Sequence, residues 1–225
     1  GPWMAPFAMA LGAFVIVGAI SEVLFRAKLG MAEREEVMRR LWNLPRSVYG
    51  TCLAHMGVGV MVLGITATSA YRVEQIKVMS PGQTVTVAGY DLTFKGVGPR
   101  RGPNYREQVG VIDVALAGAS EKFTTLYPAK RIYDAPPQPT SEAGIHASWS
   151  GDLYTILGDP QADGKGYSIR VYFNPLVRFI WLGAVIMFIG GFVSLTDRRL
   201  RVGAPRRAER PPSGQLPGGP VVPAE

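Results

Sequence analysis

Thiols and imidazoles are scarce in this sequence. Its 225 residues include one cysteine, Cys52, and two histidines, His55 and His146. A single thiol cannot form an intrachain disulfide or a cysteine-pair metal site. The segment 71–174 also shows no phosphate-binding glycine loop, nucleophile elbow or paired-carboxylate arrangement. These absences exclude a disulfide-stapled fold and leave the histidines as the groups whose chemistry needs an explanation.

Charged side chains are also sparse and unevenly placed, at 18% of the chain against 47% hydrophobic residues. Three apolar runs, near 4–20, 48–70 and 176–195, approach the length of about 20 residues that crosses a bilayer. The mean hydropathy of +0.12 is too high for an ordinary soluble domain and too low for a pure helical membrane bundle. The chain therefore divides into membrane spans and a polar domain.

The net charge of +7 resembles that of a nucleic-acid-binding protein, but its distribution argues against that function. Residues 26–46 contain six Lys and Arg against three Glu, and residues 197–225 contain six Arg against three acidic side chains. The segment 71–174 is nearly neutral, with eleven basic and ten acidic residues. Basic loops remain in the cytoplasm by the positive-inside rule. We therefore expect the central segment to face outward.

Between residues 71 and 174 the pattern changes from helical to extended. Short runs rich in Val, Thr, Tyr and Phe are separated by turn residues, which favours a small antiparallel barrel or sandwich. The predicted strands cover 73–78, 84–87, 92–97, 109–116, 123–127, 152–157 and 168–173. We expect a long loop at 100–104, an extended proline-rich connector at 134–141, and a surface loop around His146.

The predicted fold is thus three transmembrane α-helices plus a small outward-facing antiparallel all-β domain. Its expected order is a transmembrane helix at 1–25, a basic cytoplasmic loop at 26–46 that is either amphipathic or a simple connector, a transmembrane helix with His55 at 47–70, the β domain at 71–174, a transmembrane helix at 175–196, and a disordered basic cytoplasmic tail at 197–225.

His55 lies about a third of the way along the second span, where polar groups are costly. Gly50, Gly57 and Gly64 recur every seven residues and predict a close approach by a neighbouring helix. His55 projects roughly the opposite way. By helical spacing its face carries Val48, Thr51, Cys52, Gly59 and Val62, and the small residues one turn away on each side leave room for a flat, bulky group. That geometry suits an axial haem ligand. A proton path or a polar helix contact fits the pattern as well.

Five segments in order resemble the C-terminal region of CcmF, the membrane haem lyase subunit of the bacterial cytochrome c maturation system. They are LPRSVYGTCLAHMGVGVMVLGITATSAY at 44–71, SPGQTVTVAGYDLTFKGVGPRRGPNYREQVG at 80–110, YPAKRIYD at 127–134, DLYTILGD at 152–159, and RVYFNPLVRFIWLGAVIMFIGGFVSLTDRR at 170–199. The resemblance extends to about Arg199. With no initiator Met, we interpret the chain as part of a longer protein or a split subunit.

The resemblance implies a role for His55. In that family a histidine in a Leu-x-His-x-Gly context is an axial ligand of a b-type haem, and here the motif is Leu53-Ala54-His55-Met56-Gly57. The resemblance assigns no catalytic residue to this chain. The family's second haem ligand and its tryptophan-rich segment lie in the N-terminal part, so we expect this fragment alone to be inactive.

The implied function is support of haem attachment to apocytochrome c at the bacterial inner membrane, with the β domain in the periplasm. The implied partners are the N-terminal part of the same protein, a haem chaperone, apocytochrome c with its thiol-handling partner, and the lipid bilayer. No nucleic acid is expected. The alternative is a non-catalytic, membrane-anchored assembly module in which His55 is structural.

Overall fold

A computed structural model describes residues 2–162, 164 and 166–197, so the tail predicted at 197–225 lies outside the described residues except for Asp197. The helices are α1 (Ala5–Arg26), α2 (Arg34–Asn43), α3 (Arg46–Ala70) and α4 (Arg178–Leu195). In this part of the chain, α1, α3 and α4 are long and apolar enough to cross a membrane. Helix α2 is short and highly charged, and it lies in the segment between the first two spans.

Helices α3 and α4 pack through glycines on both sides of the contact. Gly50, Gly57 and Gly64 are buried against α4, as their seven-residue spacing predicts. A Cβ atom added to Gly57 would lie 2.6 Å from the carbonyl oxygen of Gly183, and one added to Gly50 would lie 2.6 Å from that of Gly190. The two backbones therefore touch, and van der Waals contact at small residues is what holds helices together in a membrane.

Both ends of α3 are also bonded to the segments that flank α4. At the start of α3, the Ser47 backbone N–H donates to the Asp197 carboxylate over 3.0 Å. This bond satisfies one of the backbone donors left unpaired at a helix N-terminus. At the other end, the Thr68 hydroxyl donates to the Pro175 carbonyl over 2.9 Å. The α3–α4 pair is thus held along its length.

Helix α1 packs on a different face of α3. A Cβ added to Gly59 would lie 2.7 Å from the Gly12 carbonyl oxygen and 2.5 Å from the side chain of Ile16. Gly12 also approaches Leu63, one turn further along α3. Helix α3 is therefore the central helix of the three, with α4 on one face and α1 on another.

Ten strands form two antiparallel sheets between α3 and α4. The four-stranded sheet has the order β1 (Val73–Met79), β10 (Tyr167–Pro175), β9 (Gly151–Pro160) and β8 (Gly144–Ala147). The six-stranded sheet has the order β2 (Thr84–Val87), β3 (Tyr90–Arg101), β4 (Tyr105–Leu116), β6 (Ala129–Asp134) and β7 (Pro137–Glu142), with β5 (Lys122–Leu126) paired to β4.

The core of the β domain lies between the two sheets. Alternate residues of β3 and β4 are fully buried against alternate residues of β9 and β10, as in a sandwich with one apolar face on each sheet. The largest fully buried side chains include Phe94, Leu92, Ile112, Leu153, Leu157 and Ile169. The predicted combination of apolar helices with an antiparallel all-β domain is confirmed.

Two predicted loops are strands. The proline-rich connector expected at 134–141 is mostly β7, which pairs with β6 and places Pro139 opposite Ile132. Because β7 is at the edge of its sheet, a proline there costs no ladder hydrogen bond on the outer side. The loop expected at 100–104 shrinks to a turn at 102–104, since β3 continues to Arg101 and β4 begins at Tyr105.

His146 was also expected in a surface loop, but it lies on β8 and pairs with Leu153. Its ring is half-buried and contacts two aromatic rings edge-on. The centroid distances are 5.0 Å to Phe123 and 6.4 Å to Tyr90. His146 is therefore part of an aromatic cluster, and its neighbours explain it without any bound group.

Candidate cofactor pocket beside His55

His55 projects from the side of α3 that faces α1, one turn before the Gly59 contact, and its side chain is exposed in this chain. Its Nδ1 lies 2.8 Å from the Thr51 carbonyl oxygen. A carbonyl can only accept, so Nδ1 carries the hydrogen of this bond. In the neutral ring, Nε2 then keeps its lone pair. A metal-binding histidine typically has this arrangement, with one nitrogen fixed by a backbone carbonyl and the other left for the metal.

A pocket of about 610 Å³ separates α1 from α3 next to this imidazole. That volume lies within the range of small-molecule and cofactor sites. The α1 wall consists of Phe14, Val15, Gly18, Ala19, Glu22 and Arg26, and the α3 wall consists of Ser47, Val48, Thr51, Cys52 and His55.

The pocket is apolar along most of its length and polar at one end. Small side chains and glycine form its middle, where an added Cβ at Gly18 would meet no atom within 4 Å. At the end near Ser47, Arg26 Nε donates to the Glu22 carboxylate over 2.6 Å, and both side chains are about half exposed. The volume and polarity suit an apolar ligand that carries polar groups at one end.

His55 is a single donor rather than part of a metal-binding cluster. Among the described residues, no group of three or more His, Cys, Asp and Glu side chains could hold a metal ion. The nearby Cys52 thiol contacts the Met56 sulfur at 3.8 Å. His55 is thus the one imidazole that lines the pocket among the described residues.

Some of the residues predicted beside His55 line the pocket, and Gly59 does not. Val48, Thr51 and Cys52 line it as the helical spacing predicts. Gly59, expected on the same open face, is instead covered by Gly12 and Ile16 of α1. The sequence did not predict the wall that α1 contributes to the pocket. The residue pattern within α3 cannot indicate which distant helix will pack against it.

These features define a membrane protein with three apolar helices, an antiparallel β sandwich between the last two, and a pocket between α1 and α3 that is lined by His55. Comparison with known proteins narrows that class. Residues 70–175 match the family described as the CcmF C-terminal beta-sandwich.

Relatives match over nearly the whole chain. The cytochrome c-type biogenesis protein CycK of Rhizobium meliloti is 44% identical over 210 residues, which cover 93% of this chain and 31% of CycK. CcmF of Pseudomonas aeruginosa is 36% identical over 200 residues, covering 89% of this chain and 29% of that protein. The chain therefore belongs to the CcmF family and corresponds to its C-terminal region.

A solved structure agrees on the fold. The protein described as cytochrome c haem lyase CcmF aligns with a TM-score of 0.55 and 19% identity, over 82% of this chain and 34% of that one. This chain thus spans about a third of the length of the relatives it matches.

Proposed function

We propose that this chain is the C-terminal part of a membrane haem lyase subunit for c-type cytochrome maturation, and that His55 is an axial ligand of a b-type haem in the pocket between α1 and α3. The observation that carries the proposal is the imidazole itself. Its Nδ1 is committed to the Thr51 carbonyl, and Nε2 is left for a metal beside a pocket of cofactor size.

The residues around the imidazole have defined roles in this proposal. Thr51 fixes the ring orientation through its carbonyl oxygen, which also makes Nε2 the better donor. Gly18 and Ala19 leave space for a flat ring, and the Glu22–Arg26 pair marks the end where polar substituents would lie. When bound, such a haem supplies one-electron transfer, which in our proposal supports reduction of the haem that becomes attached to apocytochrome c.

In this proposal, other parts of the reaction depend on groups from outside this chain. The second axial ligand would come from outside the pocket lining described above, in which His55 is the one imidazole. We propose that the N-terminal part of the same protein supplies that ligand and the segment that handles the delivered haem. A haem chaperone and apocytochrome c, with its thiol-handling partner, would then be the partners, and the β domain would be the surface on which a partner docks.

The proposed location is the bacterial inner membrane, with the β domain in the periplasm. The support is the charge distribution: residues 26–46, on the opposite side of the spans from the β domain, hold six basic and three acidic side chains. Basic segments remain on the cytoplasmic side.

The second candidate function is that of a membrane-anchored protein that binds no haem at His55. In a non-catalytic assembly module, the Nδ1 bond to Thr51 would be a purely structural bond within α3. The two candidates differ in one measurable property, the presence of a pigment that depends on His55.

The test is the haem content of the full-length membrane protein that carries this chain, measured from its reduced-minus-oxidised spectrum. His55→Ala should remove the b-type band while the amount of protein stays the same. His146→Ala is the matched control, because it removes the chain's other imidazole from a site within the β domain. A band that survives His55→Ala at wild-type intensity would reject ligation by His55 and favour the assembly module.

A further inference from the structure

We infer that α2 lies in the lipid head-group layer of the bilayer, with its exposed Met38 and Trp42 side chains inserted among the lipids. Arg34 and Arg39 then lie next to anionic head groups. The partner is thus the surface of the membrane that the chain's own spans cross. The inference concerns the segment between α1 and α3, and it does not depend on haem ligation by His55.

Helix α2 lies at the end of the membrane spans. Two residues, Leu44 and Pro45, separate it from the start of α3. The Tyr49 hydroxyl donates to the Leu41 carbonyl oxygen over 2.6 Å, so the last turn of α2 lies against the first turn of α3. Helix α3 has 25 residues and is about 37 Å long, which exceeds the hydrocarbon core of about 30 Å. The first turn of α3, with α2 beside it, therefore reaches the boundary between the core and the head groups.

One side of α2 is apolar, and the described part of the chain covers half of it. Val37 is buried and Leu41 is half-buried, so this stripe packs on the rest of the chain. The next residue after each of them, Met38 and Trp42, forms a second stripe one turn long. Met38 is 53% exposed and Trp42 is 85% exposed. An apolar surface thus continues from the packed stripe to one that the described residues leave open.

The charges around the open stripe suit an anionic surface. Residues 26–46 hold six basic and three acidic side chains, a surplus of three positive charges. Arg34 and Arg39 are both exposed, and among the described residues the ion pairs of this segment involve neither of them. Arg34 lies one turn before Met38 on the same side of the helix. Its stem can cover apolar surface while the guanidinium reaches the head groups.

The residue types on α2 favour lipid over another helix as the partner. The contacts of α3 with α1 and α4 are made through glycines, which let two backbones touch. Helix α2 has no glycine, alanine or serine. Its open stripe holds a methionine and a tryptophan beside arginines. Tryptophan is enriched where membrane meets water, and helices that lie in this layer combine an apolar face with basic residues.

The test places a photoactivatable benzophenone amino acid at position 42 of the full-length protein, reconstituted in vesicles of phosphatidylcholine and phosphatidylglycerol. Irradiation links the probe to the molecule that it contacts, and mass spectrometry identifies the adduct. The matched control is the same probe in place of Asn43, which is exposed but points about 100° away around the helix. We expect several-fold more lipid adduct from the probe at Trp42 than from the probe at Asn43.

Two outcomes would overturn the inference. The probe at Trp42 would link to a protein segment if another part of the protein covered this stripe. It would yield no more lipid adduct than the probe at Asn43 if the stripe faced water.

The role of the charges is measured with Arg34→Gln and Arg39→Gln combined, and with the probe kept at position 42. The adducts of the wild-type background should contain phosphatidylglycerol in excess of its share in the vesicles, and the double variant should lose that excess. Adducts that match the vesicle composition in both backgrounds would contradict attraction of the arginines to anionic head groups.

Discussion

Two adjacent glycines on α4 give a sharp prediction about how the helices pack. A Cβ added to Gly190 would lie 2.5 Å from the Ala54 nitrogen and 2.6 Å from the Gly50 carbonyl oxygen, both in the backbone of α3. Ordinary contacts begin at 3.4 Å, so the α3 and α4 backbones would have to separate by about 0.9 Å. Overpacking of a tight contact costs about 1–3 kcal/mol. We therefore expect Gly190→Ala to lower the free energy of unfolding by that amount.

Gly191→Ala is the control, because an added Cβ there would meet no atom of this chain within 4 Å. Alanine is the better helix former by about 0.5–1 kcal/mol, so this variant should be unchanged or slightly stabilised. The assay is equilibrium unfolding of the two variants in mixed micelles, followed by helical circular dichroism. Equal stability of the two variants would contradict the packing described for α3 and α4.

Three further predictions concern the pocket and the buried Glu107 carboxylate. Gly18→Leu should fill the pocket and abolish the b-type band although His55 is intact. The control Gly191→Leu, at an open position of α4, should retain the band. A full band in Gly18→Leu would place the haem elsewhere. Glu107→Gln should lower the free energy of unfolding by about 1–3 kcal/mol in a urea titration, since two arginines lose their buried carboxylate; an unchanged midpoint would contradict that role. The pKa of Glu107 is lowered from 4.5 in the folded protein, so the ionised carboxylate stabilises the fold above that pH, and this stabilisation is lost as the pH falls through the lower, folded value. The free energy of unfolding of Glu107→Gln should therefore fall less steeply with acid than that of the wild type. Parallel curves of unfolding free energy against pH would refute this.

The sequence was informative where one residue pattern has one physical meaning. The seven-residue spacing of Gly50, Gly57 and Gly64 predicted a close helix contact, and α4 makes it. Short runs rich in Val, Thr, Tyr and Phe, separated by turn residues, located most strands of the sandwich. Each of these signals lies within a single element, so it can be recognised without knowing the partner element.

The missed features depend on contacts between distant elements. Proline residues made 134–141 look like a connector, although an edge position allows them in β7. Glu107 gave no sign of burial, since its two arginine partners come from β3 and β6. The α1 wall of the pocket was missed for the same reason, and the role of His55 as a ligand stays a prediction.

The most direct measurement of the central proposal is chemical rescue of the missing ligand. His55→Gly in the full-length protein should lose the b-type band, and free imidazole should restore it, because a small ligand can enter the space left next to Thr51. Loss and recovery together would identify His55 as an iron ligand rather than a structural residue. A band that is present before imidazole is added, or a lost band that imidazole does not restore in a protein that remains folded, would contradict ligation by His55.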